Sequence, residues 1–172
     1  IKKSNLRELV QRELSKMGKR CHCIRCREVG LKRLKHAIEV KPENIKLLKQ
    51  TYEASRGIDA FISYEDFVND ALIGFLRLRY PSEKAHREES GSKTCLVREL
   101  HVYGNMVPIG KRYDDSYQHK GFGARLMNEA ERMAKEEFDA TRMIVMSAIG
   151  TREYYRRLGY EKEGPYMVKI VN

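Results

Sequence analysis

Leu6, Leu9, Val10 and Leu14 recur at intervals of three and four residues between Asn5 and Gly18. Apolar side chains at that spacing share one helix face, so a short amphipathic helix is expected over 5–17, with Asn5 and Glu8 as a capping pair and cations on its wet face. From about residue 37 the pattern becomes β-type, and strands are expected over 37–40, 45–54, 58–64, 71–80 and 94–103. Ser55-Arg56-Gly57 supplies a turn, and the polar stretch 81–93, broken by Ser90-Gly91-Ser92, reads as an exposed loop. Phe122, Leu126, Ala130, Met133, Ala134 and Phe138 return to helical spacing and predict a helix over about 121–137. Met143, Val145 and Ser147 alternate as a strand, 151–158 reads as a short helix and 166–171 as a last strand. Strands, helix, strand, helix, strand is the order of an α/β layered fold.

The 172 residues, 41% of them hydrophobic, suffice for one good core plus an appendage. No run approaches the length of a membrane span, and the polar N-terminus lacks the apolar core of a secretory signal, so a cytoplasmic protein with no membrane partner is expected. Ile1 leads almost directly into a helix, which reads as a piece of something longer whose catalytic parts lie partly upstream. Charge divides the chain more sharply than hydropathy does. Residues 1–35 hold twelve Lys or Arg against three Glu, a surplus of nine within a net charge of +10, whereas the remainder carries 22 cations against 21 anions. Basic clusters gain affinity for phosphates by releasing counterions, so 1–35 reads as a polyanion-binding segment joined to a globular domain at 36–172. A merely solvated basic face is the alternative.

Two clusters carry chemistry. Gln118-His119-Lys120-Gly121-Phe122-Gly123-Ala124 precedes and opens the predicted long helix. Glycines there let backbone approach a ligand closely, and the unpartnered first-turn N–H groups with the helix dipole favour a pyrophosphate, although glycines before a helix can also serve only as a turn. Cys21, Cys23 and Cys26 lie within six residues. Thiols in a reducing compartment favour zinc over a disulfide, and the spacing is not the Cys-x3-Cys-x2-Cys of a radical S-adenosylmethionine cluster. A fourth zinc ligand could be His22, His36, His86 or Cys95, the last being more natural as a buried apolar residue.

Larger stretches carry a resemblance. Arg98-Glu99-Leu100-His101-Val102-Tyr103, Tyr117-Gln118-His119-Lys120-Gly121-Phe122-Gly123, Gly150-Thr151-Arg152-Glu153-Tyr154-Tyr155-Arg156-Arg157-Leu158-Gly159-Tyr160 and Gly164-Pro165-Tyr166-Met167-Val168-Lys169 are similar to the C-terminal acetyltransferase domain of the Elongator catalytic subunit family. Residues 4–10 and 21–29 also resemble the part of that family just after its radical S-adenosylmethionine half. The resemblance implies a GNAT fold, with a mixed central sheet flanked by helices, preceded by a short basic helix and a cysteine-rich segment. It further implies acetyl-CoA as acetyl donor for carboxymethylation of the wobble uridine of tRNA, with S-adenosylmethionine and an iron–sulfur cluster confined to an upstream domain absent here. Glu99, Leu100, His101 and Val102 would then lie along the pantetheine arm, Gln118, Lys120, Gly121, Phe122, Gly123 and Ala124 would hold the pyrophosphate, and Tyr155 would contact the coenzyme.

Beside that resemblance stands the chemistry of the residues themselves. A phenol at the sulfur could protonate the leaving thiolate, with Tyr155 preferred and Tyr154 its stand-in; only one of two neighbours on a helix can face the site squarely, and the other is expected in the core. Leu100 and Val102 share one strand face and read as core, while Glu99 and His101 share the other, where either could act as a base or the two could simply satisfy each other. Two further functions remain open at this point: a protein lysine acetyltransferase, histones included, and a basic zinc-stabilised RNA-binding module that has lost activity.

Overall fold

The structure, a computed structural model, describes residues 4–85, 91, 93–104 and 121–171. Three helices come first, α1 (Leu6–Lys16), α2 (Ile24–Arg27) and α3 (Val29–His36). Four strands follow, β1 (Ile45–Ala54), β2 (Gly57–Asp66), β3 (Ala71–Tyr80) and β4 (Thr94–Val102). Helix α4 (Phe122–Glu136), strand β5 (Arg142–Val145), helix α5 (Arg152–Arg157) and strands β6 (Glu161–Glu163) and β7 (Tyr166–Ile170) complete the order. The strands form one mixed sheet in the order β1-β2-β3-β4-β5-β7-β6, with β4 and β5 parallel and the other neighbours antiparallel. Ser55 and Arg56 both take positive φ, which matches the twist of the β1–β2 hairpin they close.

One face of the sheet is covered by α4. Leu126, Met127, Ala130, Met133 and Ala134 bury the helix's apolar stripe in a core shared with Ile62, Tyr64, Leu76, Leu78, Val97, Met143 and Val145. Each large side chain so buried contributes roughly 1.5–3 kcal/mol against exposure. On β4 the register shifts: Val97 stands opposite Leu78 and Glu99 opposite Arg77, leaving Arg98 as the extra residue of a bulge. Side chains on the core face are therefore odd-numbered up to Val97 and even-numbered at Leu100 and Val102.

The N-terminal helices cover the far end of the other face. Arg27 pairs with Glu65 and, through Nε at 2.9 Å, with Asp70; Ser63 Oγ donates to Glu65 at 2.7 Å; Lys32 Nζ donates to the Asp70 carbonyl at 2.9 Å. Val29 is fully buried in the main core. Several expectations are corrected here. Residues 29–36 are helical although no helix is predicted, because Val29 is the only residue of α3 that is buried. No strand forms over 37–40; Ala37 caps α3 in the left-handed region, while Ile38 and Val40 still pack against the core. Asn5 makes no side-chain cap bond. β6 has three exposed charged residues and no apolar alternation to announce it. Among the described residues, no helix is long and apolar enough to cross a membrane.

Candidate functional site

β4 and β5 pair only from Thr94/Arg142 to Val97/Val145. Beyond that point β4 continues to Val102 without a further β5 partner among the described residues, so the two strands part into a wedge at the bulge. Helix α4 begins beside the wedge. Gly121 caps it with φ +75°, a left-handed conformation that a side chain strains, and among the described residues, its chain neighbours aside, none comes within 4 Å of where its Cβ would be. Gly123 is small for another reason: a Cβ there would lie 2.6 Å from the Tyr154 hydroxyl and 3.7 Å from Val102 Cγ2. Phe122 packs against Tyr64 inside the core, and Ala124 follows in the first turn. Gln118 and Lys120 lie outside the described residues.

The far side of the wedge is the segment after β5. Ser147 Oγ, Arg152 Nε and Tyr154 OH are all buried there without a hydrogen-bond partner among the described residues. Buried polar atoms are normally paired, so three orphans on one short segment beside an opening fit a polar ligand. Tyr155 is itself buried in the core, edge-on to Tyr154 at 5.2 Å and to Tyr160 at 6.1 Å. Burial holds both phenols above their ordinary pKa, for Tyr155 with help from Tyr154, so both stay protonated. The phenol that reaches the glycine turn is Tyr154, and the ring sunk in the core is that of Tyr155.

Leu100 and Val102 are half-buried against the core, as alternation along the strand requires. Glu99 and His101 are exposed on the opposite face and do not satisfy each other. Glu99 faces Arg77 at 3.8 Å, and His101 lies against Tyr103 at 4.5 Å and Phe75 at 6.1 Å between ring centroids. Sequence reading missed Arg77, Ser147 and Arg152. Arg77 needed the cross-strand register, and the other two needed the packing of α5.

The three N-terminal cysteines converge, their Sγ atoms all within 4.8 Å of one another. Arg7 of α1 donates to Cys26 Sγ at 3.0 Å and Cys23 Sγ at 3.7 Å, and Gln11 donates to Cys26 at 3.4 Å. The Cys26 backbone N–H, then the Arg7 guanidinium and the Cys21 thiol, pull the Cys23 thiol down to about 6. Among the candidates for a fourth ligand, His22 faces Asp70 at 3.2 Å, and Cys95 is sunk in the core with burial pushing its thiol up to about 12. Between α1 and α3 runs a groove of about 760 Å³ whose walls include Arg7, Lys19, Arg20, Arg25, Lys32 and Lys35.

Residues 31–160 match the model of the acetyltransferase (GNAT) family. Over 172 residues the chain is 53% identical to a tRNA uridine(34) acetyltransferase of Methanocaldococcus jannaschii, a match covering 99% of this chain and 32% of that protein. Over 171 residues it is 46% identical to Elongator complex protein 3 of Homo sapiens, covering 99% and 31% respectively. The archaeal Elp3 of Methanocaldococcus infernus with residues 1–46 deleted superposes with a TM-score of 0.87 at 53% identity, covering 98% of this chain and 39% of that one. The chain thus spans about a third of the length of the curated relatives it matches.

Proposed function

The chain belongs to the acetyltransferase (GNAT) family, and from that premise we propose that it is the acetyl-CoA-binding domain of a tRNA wobble-uridine-modifying enzyme. The observation that carries the reading is the wedge where β4 leaves β5 next to Gly121 and the first turn of α4. The β4 edge along Glu99, Leu100, His101 and Val102 would pair with the amide arm and polarise the thioester carbonyl, and the α4 N-terminus, with Gln118 and Lys120 before it, would take the pyrophosphate. When the C–S bond breaks, the thiolate needs a proton; Tyr155, or Tyr154 in its place, would donate one and recover it from water. Glu99 or His101 would relieve an incoming nucleophile of its proton from the opposite face.

Cys21, Cys23 and Cys26 suit zinc, since soft thiolates are its ligands and one of the three is ready to ionise near neutrality. The metal would supply cohesion to the basic segment, which would hold tRNA by charge. Radical chemistry with S-adenosylmethionine and an iron–sulfur cluster would belong to the additional length of the relatives, in the cytoplasm. Calorimetry with acetyl-CoA tests the donor site: wild type should bind it and Gly123→Arg should not, with a cooperative melt, lowered by the displacement of Tyr154, showing that the fold survives. Coenzyme A release should then be faster with tRNA than with a lysine peptide, and the reverse order would make the chain a protein acetyltransferase.

A further inference from the structure

The sheet face opposite α4 carries aromatic rings where α2 and α3 no longer cover it. Phe61 on β2 stacks on Phe75 of β3 at 5.2 Å and 21°, and Phe75 stacks on His101 of β4 at 6.1 Å and 15°. Tyr103 closes the row, 4.5 Å from His101. Phe75 is buried at the centre, Phe61 is half-buried and His101 is exposed, so the accessible rings are the two flanks of a nearly parallel row. A row of stacked, nearly parallel rings ends in flat faces at Phe61 and His101, on which a planar heterocycle stacks and a globular apolar side chain fits poorly.

The charges beside this surface suit a polyanion. Arg77 stands opposite Phe61 and pairs with Glu99 at 3.8 Å; Arg98, at the bulge, faces Asp59 at 3.8 Å, as does Arg79 at 3.3 Å. With Glu28 acting on Tyr103, three guanidiniums stand against three carboxylates around the rings, and the surplus of cations lies in the groove between α1 and α3. On the same face, Arg27 reaches Glu65 next to Ser63, which is where the platform meets the helices that line the basic groove. Aromatic side chains on an open sheet surface, flanked by cations, are a general means of holding unstacked bases.

Resting on the RNA-modifying reading above, we infer that Phe61 and His101, backed by Phe75, form a stacking platform for an unstacked nucleobase of the RNA acceptor. His101 is on this account a substrate-positioning residue, held by its ring rather than by its proton chemistry. Fluorescence anisotropy of the 172-residue chain with a short labelled oligouridylate, and with an abasic oligomer of the same length, tests it. The base-bearing strand should bind roughly five- to a hundredfold more tightly than the abasic one. His101→Ala and Phe61→Leu should each remove most of that preference and leave abasic binding unchanged, while His101→Phe, which keeps a ring, should retain it. Equal affinity of the two strands for wild type, or wild-type uridylate binding by His101→Ala, overturns the proposal. So does loss of affinity for a lysine peptide, in place of oligouridylate, in His101→Ala. Acetyl-CoA titrated into the same preparations separates the two readings: bound coenzyme with no preference for bases sinks only the platform, and base preference without coenzyme binding sinks only the donor site.

Discussion

A buried phenol that donates to nothing costs stability, and among the described residues Tyr154 has no acceptor. Removing an unsatisfied hydroxyl is worth about 1–3 kcal/mol to the free protein, so Tyr154→Phe should melt at the same temperature or a few degrees higher, while binding acetyl-CoA more weakly because the ligand loses its donor. Tyr155→Phe should behave differently. Its ring packing survives, and turnover at saturating acetyl-CoA should fall roughly a hundred- to ten-thousandfold if its proton goes to the thiolate. Because burial raises that phenol, the acid form persists through neutral pH, and raising pH across the neutral range should not itself abolish this step. Thermal melts, coenzyme affinity and single-turnover rates on both variants decide between the two tyrosines. Cys23 offers a separate reading. With its thiol at about 6, alkylation by iodoacetamide should rise as pH passes through that value, reach Cys23 before Cys21, and leave buried Cys95 untouched at pH 7. Mass spectrometry of tryptic peptides with and without added zinc checks this, and zinc should protect Cys23.

At the scale of elements, the basic segment is not uniform. Helix α1 buries none of its residues, whereas α3 sinks Val29 into the core and α2 sends Arg27 to Glu65 and Asp70. A chain starting at residue 20 should therefore melt like the parent but bind tRNA with a shallower salt dependence, since each lost phosphate contact removes about 0.9 or less from the slope. A chain starting at residue 36 should melt lower, losing on the order of 1.5 kcal/mol or more with Val29 alone. Identical melting of both would show that α3 adds nothing to the core. The same contrast explains what sequence could reveal. β1 to β4 and α4 announce themselves because many residues repeat one period. Helix α3 buries one residue and leaves Leu34 81% exposed, so its pattern is silent, and Ile38 and Val40 mimic a strand while only touching the core from a loop.

Across the whole molecule, the glycine turn, the tyrosine pair and the cysteine trio were all legible as residue types at particular spacings. What they face was not. Neighbours on a helix differ by about 100°, and only the packing of Tyr160 against Tyr155 settles which phenol is left for the glycine turn. The pairing of Glu99 with Arg77 required the register, which the bulge at Arg98 shifts without any glycine to betray it. That single extra residue has a wider consequence. It acts as a phase slip in a wave of period two: ahead of it Cys95 and Val97 point inward, behind it Leu100 and Val102 do. Excising Arg98 would remove the slip and leave a plain alternation in which Val97, Leu100 and Val102 still point inward, whereas drawing Arg98 into the ladder would turn Glu99 and His101 toward α4. A deletion of Arg98 should therefore keep a cooperative thermal transition, and Arg98→Ala, which preserves the bulge, should melt close to the parent. The molecule's two sides, one that is built and one that works, are kept apart by a matter of parity.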